Sequence, residues 1–521
     1  MIWNIFKKDW KLLWRYAVGF GALHFILDAL RLSQGRFYQA RLAVLAASSS
    51  FLPGRDLFVV STLPVLALLG SALLITAIVQ QDAIPGLRQD WLVRPIRRRD
   101  LLLSKLVSVL VMVQLPMFSA DLAEGLASGF PLTQSAGVAF GRSSFYFLSF
   151  HLPLFAFASL TRNLMEAIVG AVAVIVGIAG LEELTFSAST LPSGPNWVDA
   201  TMRIGILVAG AAALLGVQYF WRKTMVSRWM LVALVLLYTL APPLPWQAAF
   251  ALNQRLSPAP GAGNPVAMNF VPNREALADR PVGPSNARRY GKVFVLLPVR
   301  ATGMPDQTVL LGDRDSARLV TRDGEVHDLG SQMTFGIWNE QLGEGEKPIT
   351  YGISVPREIY QRIADQPIRV EIDYSLTLWR QKETQTLPAA GGDQRTTQLG
   401  WCGTKVADDG LEILYGCVRA GNEPSCISVT LEHPPTGARN RRGGGCRPDF
   451  SLYRSGFYRD DVLGHLMVAL PFTDPSVPDP LAVRVSMLAE ATVTARAYQA
   501  QDHFVRHMVI PEIRLREWAT E

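Results

Sequence analysis

The chain has 521 residues, of which 49% are hydrophobic, and it carries a formal net charge of +6. This length exceeds that of one ordinary domain, and the positive mean hydropathy argues against a protein that is soluble throughout. The Lys and Arg residues lie at the edges of apolar runs, without the aromatic-interleaved basic segment typical of nucleic-acid binding, so we expect no nucleic-acid partner.

The first fourteen residues, MIWNIFKKDWKLLW, have an amphipathic pattern. Four apolar side chains recur at helical spacing: Trp3, Phe6, Trp10 and Leu13. Lysines occupy the other face. The pattern predicts a helix over residues 1–15 that lies in the membrane interface, with aromatic rings at headgroup depth and ammonium groups toward anionic lipid. The alternative is the charged entry to a first membrane span.

An α-helical membrane domain is predicted over residues 16–247, because apolar runs of about spanning length follow one another there. Seven spans are expected: Leu12–Leu30, Leu57–Val79, Leu101–Phe118, Ser135–Leu160, Glu166–Leu181, Ile204–Phe220 and Met230–Pro245. Asp28 and His151 lie within these runs. Each is costly in hydrocarbon, so it either lines a pathway or is stabilised by an interhelical hydrogen bond or by snorkelling.

Basic residues predict the orientation of the spans. They precede the first span and follow the second, fourth and sixth, which is the pattern of cytoplasmic loops. The exception is 31–55, which holds four arginines on the predicted outer side. Seven crossings from a cytoplasmic N-terminus place the C-terminal half outside the cytoplasm. If the first span, which contains Asp28, does not cross, this parity reverses.

The C-terminal half is predicted to be mainly β, with a Pro- and Gly-rich linker over 248–290 and a sandwich-like domain over 291–521. Its clearest strand is Ile368–Leu378, where apolar and polar residues alternate. Other expected strands are Lys292–Val299, Thr308–Leu311, Leu411–Tyr415, Ile427–Leu431, Leu466–Leu470 and Leu481–Met487. Two lobes divided near 387–398 are an alternative to one.

All four cysteines lie in this C-terminal half: Cys402, Cys417, Cys426 and Cys446. An even number confined to one side favours disulfides in an oxidising compartment, although the connectivity stays open. The alternative is four unpaired thiols. A zinc site is less favoured, since no C-x-x-C pair occurs.

Motifs for chemistry are sparse. The sequence lacks the P-loop, G-x-S-x-G and H-E-x-x-H patterns, so we predict no catalytic, cofactor-binding or metal-binding residues. His503 and His507 have the spacing of a helical metal pair, but their segment also fits a strand.

The segment Leu87–Lys105, LRQDWLVRPIRRRDLLLSK, lies between the second and third predicted spans. Pro95 disfavours helix at Arg94, which predicts a sharp turn. Trp91, Leu92 and Ile96 offer an apolar contact, and the arginines around them can pair with acidic groups on a partner. Alternatively, the arginines only fix the membrane topology.

Together with FKKDWKLLW, the run QDWLVRPIRRRDLLLSK resembles membrane subunits of the ABC-2 class of ATP-binding-cassette transporters, over about the first 245 residues. The resemblance implies a loop that docks on a separate ATPase, formed here by Trp91, Leu92, Arg94, Pro95, Ile96 and Arg98. It also implies ATP and Mg²⁺ on that ATPase subunit and a homodimer or heterodimer of permeases.

We therefore expect a permease subunit in a bacterial inner membrane, without enzymatic activity of its own, that moves an unidentified substrate. Its exported domain would bind cargo or another envelope protein. The alternative is a membrane-anchored binding or envelope-assembly module without transport. ABC-2 subunits commonly have six spans and end inside, whereas this sequence predicts seven spans and a large exported domain.

Overall fold

A computed structural model describes most of the chain. The described residues are 2–33, 62–82, 97–186, 196–240, 246–272, 291–332, 337–339, 349–396, 399–407, 412–420, 426–442, 463–471 and 483–520. They belong to two compact units. The helical unit comprises Met1–Leu244, Ala390–Glu423 and Phe450–Ala469, and the sandwich unit comprises Pro245–Ala389, Pro424–Asp449 and Leu470–Glu521.

The described residues of the first half of the chain are mainly helical. Their bounds are α1 Ile2–Ser33, α2 Leu63–Gln80, α3 Arg98–Val109, α4 Leu115–Ala127, α5 Leu132–Tyr146, α6 Leu152–Ala158, α7 Leu164–Phe186, α8 Asn196–Gly216 and α9 Thr224–Leu240. Single π-helical turns join α3 to α4 and α5 to α6, and a third extends α8 to Trp221.

Four of the described helices are long and apolar enough to cross a membrane. They are Leu63–Gln80, Arg98–Ala127, Leu164–Leu181 and Thr201–Trp221. The other three predicted spans also fall on helices: α1, the α5–α6 pair and α9. The α9 helix is apolar but short. The structure therefore shows an N-terminal helical region with several apolar helices, and four of the seven predicted membrane spans meet the length and hydropathy expected of a span.

The first fifteen residues do not form a helix of their own. They are the first half of α1, which runs unbroken for 32 residues, about 48 Å at 1.5 Å per residue. One stripe of α1 faces the core along most of this length, from Ile5 to Asp28. Because this stripe packs on the other helices, the N-terminal segment continues the first helix where the sequence predicts a separate interfacial one.

The core of the helical unit lies where α1, α2, α3, α6 and α8 meet. Ile75, Ile78, Met112 and Val113 have no exposed surface there. Burying a side chain of this size contributes roughly 1.5–3 kcal/mol. The outward-facing side chains of α7 are also apolar, as expected for a helix in contact with lipid.

The C-terminal half is β-rich, as the sequence predicts. Its strands are β1 Ala267–Phe270, β2 Lys292–Thr302, β3 Thr308–Val320, β4 Val326–Gln332, β5 Ile337–Asn339, β6 Ile349–Pro356, β7 Ile368–Pro388, β8 Gly392–Thr396, β9 Gly400–Val406, β10 Glu412–Ala420, β11 Cys426–His433, β12 Ala438–Arg442, β13 Leu463–Pro471, β14 Thr492–Ile513 and β15 Ala519–Thr520. The strand pairs with a determined register are all antiparallel.

Two sheets of the sandwich unit share one core. The larger has the order β12-β11-β14-β7-β3-β4, with β5 on β3, and the smaller has the order β1-β2-β15, with β6 on β2. Side chains from β2 and β6 pack in one cluster with those from β3, β7 and β14. The alternation that predicts β7 is observed, because Val370, Ile372 and Tyr374 are fully buried in this cluster.

The described first part of the predicted linker is ordered. It forms helix α10, Trp246–Arg255, then successive turns and β1, whereas 273–290 lies outside the described residues. Asp502 of β14 holds these turns by accepting the backbone N–H groups of Gly261 and Gly263 at 3.0 and 2.9 Å. A Cβ at Gly263 would lie 2.2 Å from the Phe504 ring, so this close approach requires glycine.

A third sheet, in the order β13-β10-β9-β8, carries a disulfide between Cys402 and Cys417. The two cysteines face each other directly in the β9–β10 register. Cys426 is disulfide-bonded as well, and Cys446 lies outside the described residues. The expected strand Leu481–Met487 is wrong in its described part, because Val485–Met487 forms a 3₁₀ turn. Its apolar residues lack a pairing strand there.

Candidate functional site

A buried ion cluster joins three helices at the end of the helical unit where α1 begins, α2 ends and α3 begins; we call this the basic end. Lys105 of α3 lies 2.9 Å from Asp9 of α1 and 2.7 Å from Asp82, which follows α2, measured from Nζ to the carboxylate oxygens. Lys105 is 1% exposed and Asp9 0%. The ammonium group of Lys8 binds the other oxygen of Asp82 at 2.6 Å.

The cluster holds the ends of α1, α2 and α3 together, because separating a buried charge from its partner is unfavourable. Removing water from an ammonium or carboxylate group costs several kcal/mol, which close pairing offsets. Burial alone raises the pKa of Asp82, but the ion pairs with Lys105 and Lys8 prevail and lower it below its usual value. The ionised form of Asp82 is therefore stabilised, and this carboxylate holds the end of α2 to Lys105 of α3 and to Lys8 of α1.

The part of Leu87–Lys105 that precedes α3, which we call the basic segment, is held by the helical unit on both sides. Asp82 is the last described residue before it, and Arg97 and Arg98 resume the chain at the start of α3. The Arg98 guanidinium donates a hydrogen bond to the backbone carbonyl of Phe220, in the π-turn that ends α8. The other five predicted coupling residues lie outside the described residues: Trp91, Leu92, Arg94, Pro95 and Ile96.

A second layer of polar contacts surrounds the turn between α6 and α7 at the same end. Gln80 donates to the Thr161 hydroxyl at 2.8 Å, and Gln218 donates to the Ser159 carbonyl at 3.1 Å. Arg228 of α9 donates to the Leu160 carbonyl at 3.1 Å. These hydrogen bonds connect the end of α2, the end of α8 and the start of α9 to the α6–α7 turn.

The four apolar residues predicted for the interfacial helix divide into two pairs. Phe6 and Leu13 are buried in the helical core, whereas Trp3 and Trp10 are exposed. The Phe6 ring stacks on Trp3 and on Trp10, with centroids 5.3 and 6.1 Å apart. The structure thus brings these aromatic residues together on α1, but only the two tryptophans can reach lipid or a partner.

A polar cluster lies inside the helical unit, away from the basic end. The first π-turn carries Gln114 and the second carries His151, and the Gln114 amide nitrogen is bonded to Nδ1 of His151. Ser143 donates to the other end of that amide, Oε1, at 2.6 Å. Of the three alternatives given for His151, a pathway, an interhelical hydrogen bond and snorkelling, the structure shows the interhelical hydrogen bond.

Two ion pairs flank this cluster. Asp28 lies 3.8 Å from Arg31 on α1, and Asp121 of α4 pairs with Arg142 of α5. A cavity of about 50 Å³ opens between them. Its polar lining comes from His24, Arg31, Ser71, Arg142, Tyr146 and His151.

The turn between α4 and α5 is clamped by the disulfide-bearing sheet of the same unit. Phe130, 4% exposed, packs with Val418 and Trp401, which are the residues beside Cys417 and Cys402. The Arg395 guanidinium lies 5.6 Å from the Phe130 ring and 5.7 Å from the Trp401 ring, and it donates to the Gly129 carbonyl at 2.7 Å. The clamp therefore positions α4 and α5, which supply Asp121 and Arg142.

The two histidines considered as a metal pair lie on β14, and each has its own partners on other elements. His503 Nδ1 lies 2.8 Å from the Thr377 hydroxyl and 3.2 Å from the Asn253 amide, whereas His507 Nδ1 lies 2.7 Å from Asp373 Oδ1. Within the described part of the chain, no group of three or more His, Cys, Asp or Glu side chains could hold a metal ion.

The stability of the sandwich unit is expected to fall at acidic pH through His503. Burial lowers the pKa of His503, and Asp502 offsets only part of this effect. His503 therefore binds a proton more readily in the unfolded chain than in the folded one. The free energy of unfolding decreases as pH falls below about 6.5. Denaturant unfolding of the full chain between pH 5 and 8 measures this loss. His503→Gln should flatten the dependence, whereas His507→Gln, at an exposed position, serves as the control.

The ion cluster could not be located from the sequence, although one signal pointed to it. Lys105 follows four apolar or small residues within LLLSK and continues the apolar stripe of a helix, where a charge is expensive. Its partners are remote in sequence, at Asp9 and Asp82. No protein-family model matches this chain, and no curated protein matches it either.

Proposed function

We propose that this protein is the membrane permease subunit of an ATP-binding-cassette transporter of the ABC-2 class, working with a separate ATPase that binds ATP and Mg²⁺. The observation that carries the proposal is the ion cluster of Lys105, Asp9 and Asp82. It links three helices at the point where the chain enters the basic segment, whose sequence resembles an ATPase-docking loop.

In this proposal, closure of the ATPase moves the segment Leu87–Asp100. Asp82 at one end and Arg98 at the other pass that movement to α1, α2, α3 and the end of α8. Buried ion pairs suit this role because they hold their geometry more strictly than apolar contacts do. A second copy, or a related permease, completes the translocation path.

The orientation belongs to the same proposal. The basic end faces the cytoplasm of a bacterial cell, and seven helices cross the inner membrane. The sandwich unit lies outside the cytoplasm, and so does the disulfide-bearing sheet of the helical unit. The disulfide of Cys402 and Cys417 supports this placement, because disulfides persist in oxidising compartments. The positions of Lys and Arg around the apolar helices support it independently.

Replacing Trp91 tests the docking role separately from topology. We expect Trp91→Ala or Arg94→Ala to abolish co-purification of the ATPase with the tagged full chain, because each removes a contact of the docking surface. Trp229→Ala is a matched control, since Trp229 is an exposed tryptophan of α9, outside the segment that resembles a docking loop.

A reporter that is active only outside the cytoplasm, fused after Glu521, should remain active in all three variants. Retention of the ATPase by Trp91→Ala and Arg94→Ala contradicts docking at this segment. A chain that never associates with an ATPase favours the alternative, a membrane-anchored binding or assembly module.

A further inference from the structure

The polar half of the lining of the cavity inside the helical unit contains several hydrogen-bond donors, and the other half is apolar. Arg31 comes from α1 and Arg142 from α5, so guanidinium groups from two helices face one space. Each guanidinium group presents five N–H donors in a planar fork and has no acceptor. Ser71 contributes an acceptor instead, since its hydroxyl donates to the Leu68 carbonyl at 2.7 Å.

The hydrogen bonds of Gln114 make His151 a further donor. Because Ser143 donates to Oε1 of the amide, the Nε2 group of Gln114 must donate to Nδ1 of His151. The neutral imidazole then carries its proton on Nε2. His151 is 2% exposed, so this N–H group is buried beside the cavity.

Each guanidinium group of the site has a carboxylate partner among the described residues. Asp28 pairs with Arg31 and Asp121 pairs with Arg142, and neither carboxylate lines the cavity. The carboxylates therefore orient the guanidinium groups from outside the cavity. A ligand that enters meets N–H donors of two guanidinium groups, which favours a group rich in acceptor oxygens over a cation.

The size of the cavity limits the ligand. A volume of about 50 Å³ holds roughly four water molecules, at 10–15 Å³ of such volume for each. A tetrahedral oxyanion of five heavy atoms occupies similar space. A larger polar head does not fit without movement of the helices.

We infer that this cavity is a binding site for a phosphate group, held by Arg31 and Arg142 with His151 as a third donor. The phosphate comes either from a lipid headgroup that enters between α1 and α5 or from a free anion. Only the lipid source rests on the membrane placement of the proposed function. Binding is measured without an ATPase, so failure of this inference is distinguishable from failure of the transport proposal.

Binding is tested on the full chain, purified in a phosphate-free maltoside detergent, by native mass spectrometry. The probes are dihexanoyl phosphatidic acid, dihexanoyl glycerol and inorganic phosphate, with sodium chloride at equal ionic strength as the salt control. We expect a phosphate-bearing probe to bind and the diglyceride to fail. Binding of phosphatidic acid alone identifies a lipid headgroup, whereas competition by inorganic phosphate identifies a site that also accepts the free anion.

Two variants test the residues. Asp121→Asn combined with Arg142→Gln replaces the ion pair by an uncharged amide pair, and affinity should fall at least tenfold. Arg31→Lys keeps a cation beside Asp28 but removes the planar guanidinium group, and the affinity for the phosphate probe should fall several-fold. This variant keeps the inference testable if the first variant does not fold. Asp365→Asn combined with Arg516→Gln makes the same exchange at an exposed ion pair of the sandwich unit, as control. Unchanged binding in both test variants, equal binding of the diglyceride, or no binding of either phosphate probe overturns the inference.

Discussion

Replacing Lys105 by Met should lower the free energy of unfolding of the full chain by about 3–5 kcal/mol, the cost of leaving a buried charge without its partner. Lys105 is the only cation within 4 Å of Asp9 among the described residues, and both side chains are buried. Denaturant unfolding of the protein in detergent micelles measures the loss.

A second substitution separates charge from packing at the same site. Asp9→Asn added to Lys105→Met removes the stranded carboxylate and leaves Asp82 paired with Lys8, so much of the lost stability should return. Lys8→Ala is the control, because Lys8 is exposed and an exposed ion pair contributes about 0.2–1 kcal/mol. Equal losses in Lys8→Ala and Lys105→Met would contradict the proposed role of the buried cluster.

Removing the disulfide by Cys402→Ala with Cys417→Ala should lower the stability of the helical unit by about 3 kcal/mol, the chain-entropy value for a loop of fifteen residues. Phe130→Ala should lower it by about 3–5 kcal/mol, because it empties a buried aromatic site. Thermal unfolding of each variant measures these effects.

The clamp further predicts that the two changes are not additive. Trp401 and Val418 pair directly across β9 and β10 beside the disulfide, and both pack on Phe130. Loss of the disulfide loosens this contact, so the combined variant should lose at least 0.5 kcal/mol less than the sum of the separate losses. Phe140→Ala, at an exposed position on α5, is the control with little effect. Strict additivity would show that the disulfide does not shape the Phe130 site.

The parts of the fold that follow from local pattern could be predicted from the sequence. The period of two in Ile368–Leu378 reports a strand with one buried face, and β7 has that form. The apolar runs indicate helices. The confinement of the cysteines to one half favours disulfides without giving their connectivity, and the structure pairs Cys402 with Cys417. In each case the information lies within a few residues or in composition.

The parts that depend on distant residues could not be predicted in the same way. Residues 257–266 contain Pro and Gly and resemble a flexible linker, yet Asp502 and Arg506, about 240 residues later, fix their backbone. The continuity of α1 also depends on distant residues, because the buried stripe of this helix packs on helices from later parts of the chain. The ion cluster likewise needs α1, α2 and α3 to meet before its charges become partners.

Reconstitution with the ATPase tests most directly the proposal that the basic segment couples ATP hydrolysis to movement of the helical unit. The rate of ATP hydrolysis is measured in liposomes that contain the ATPase with the wild-type chain, with Trp91→Ala or with Trp229→Ala. The account predicts that the wild-type chain and Trp229→Ala raise the rate several-fold above that of the ATPase alone, and that Trp91→Ala does not. Equal rates with the wild-type chain and Trp91→Ala would contradict it.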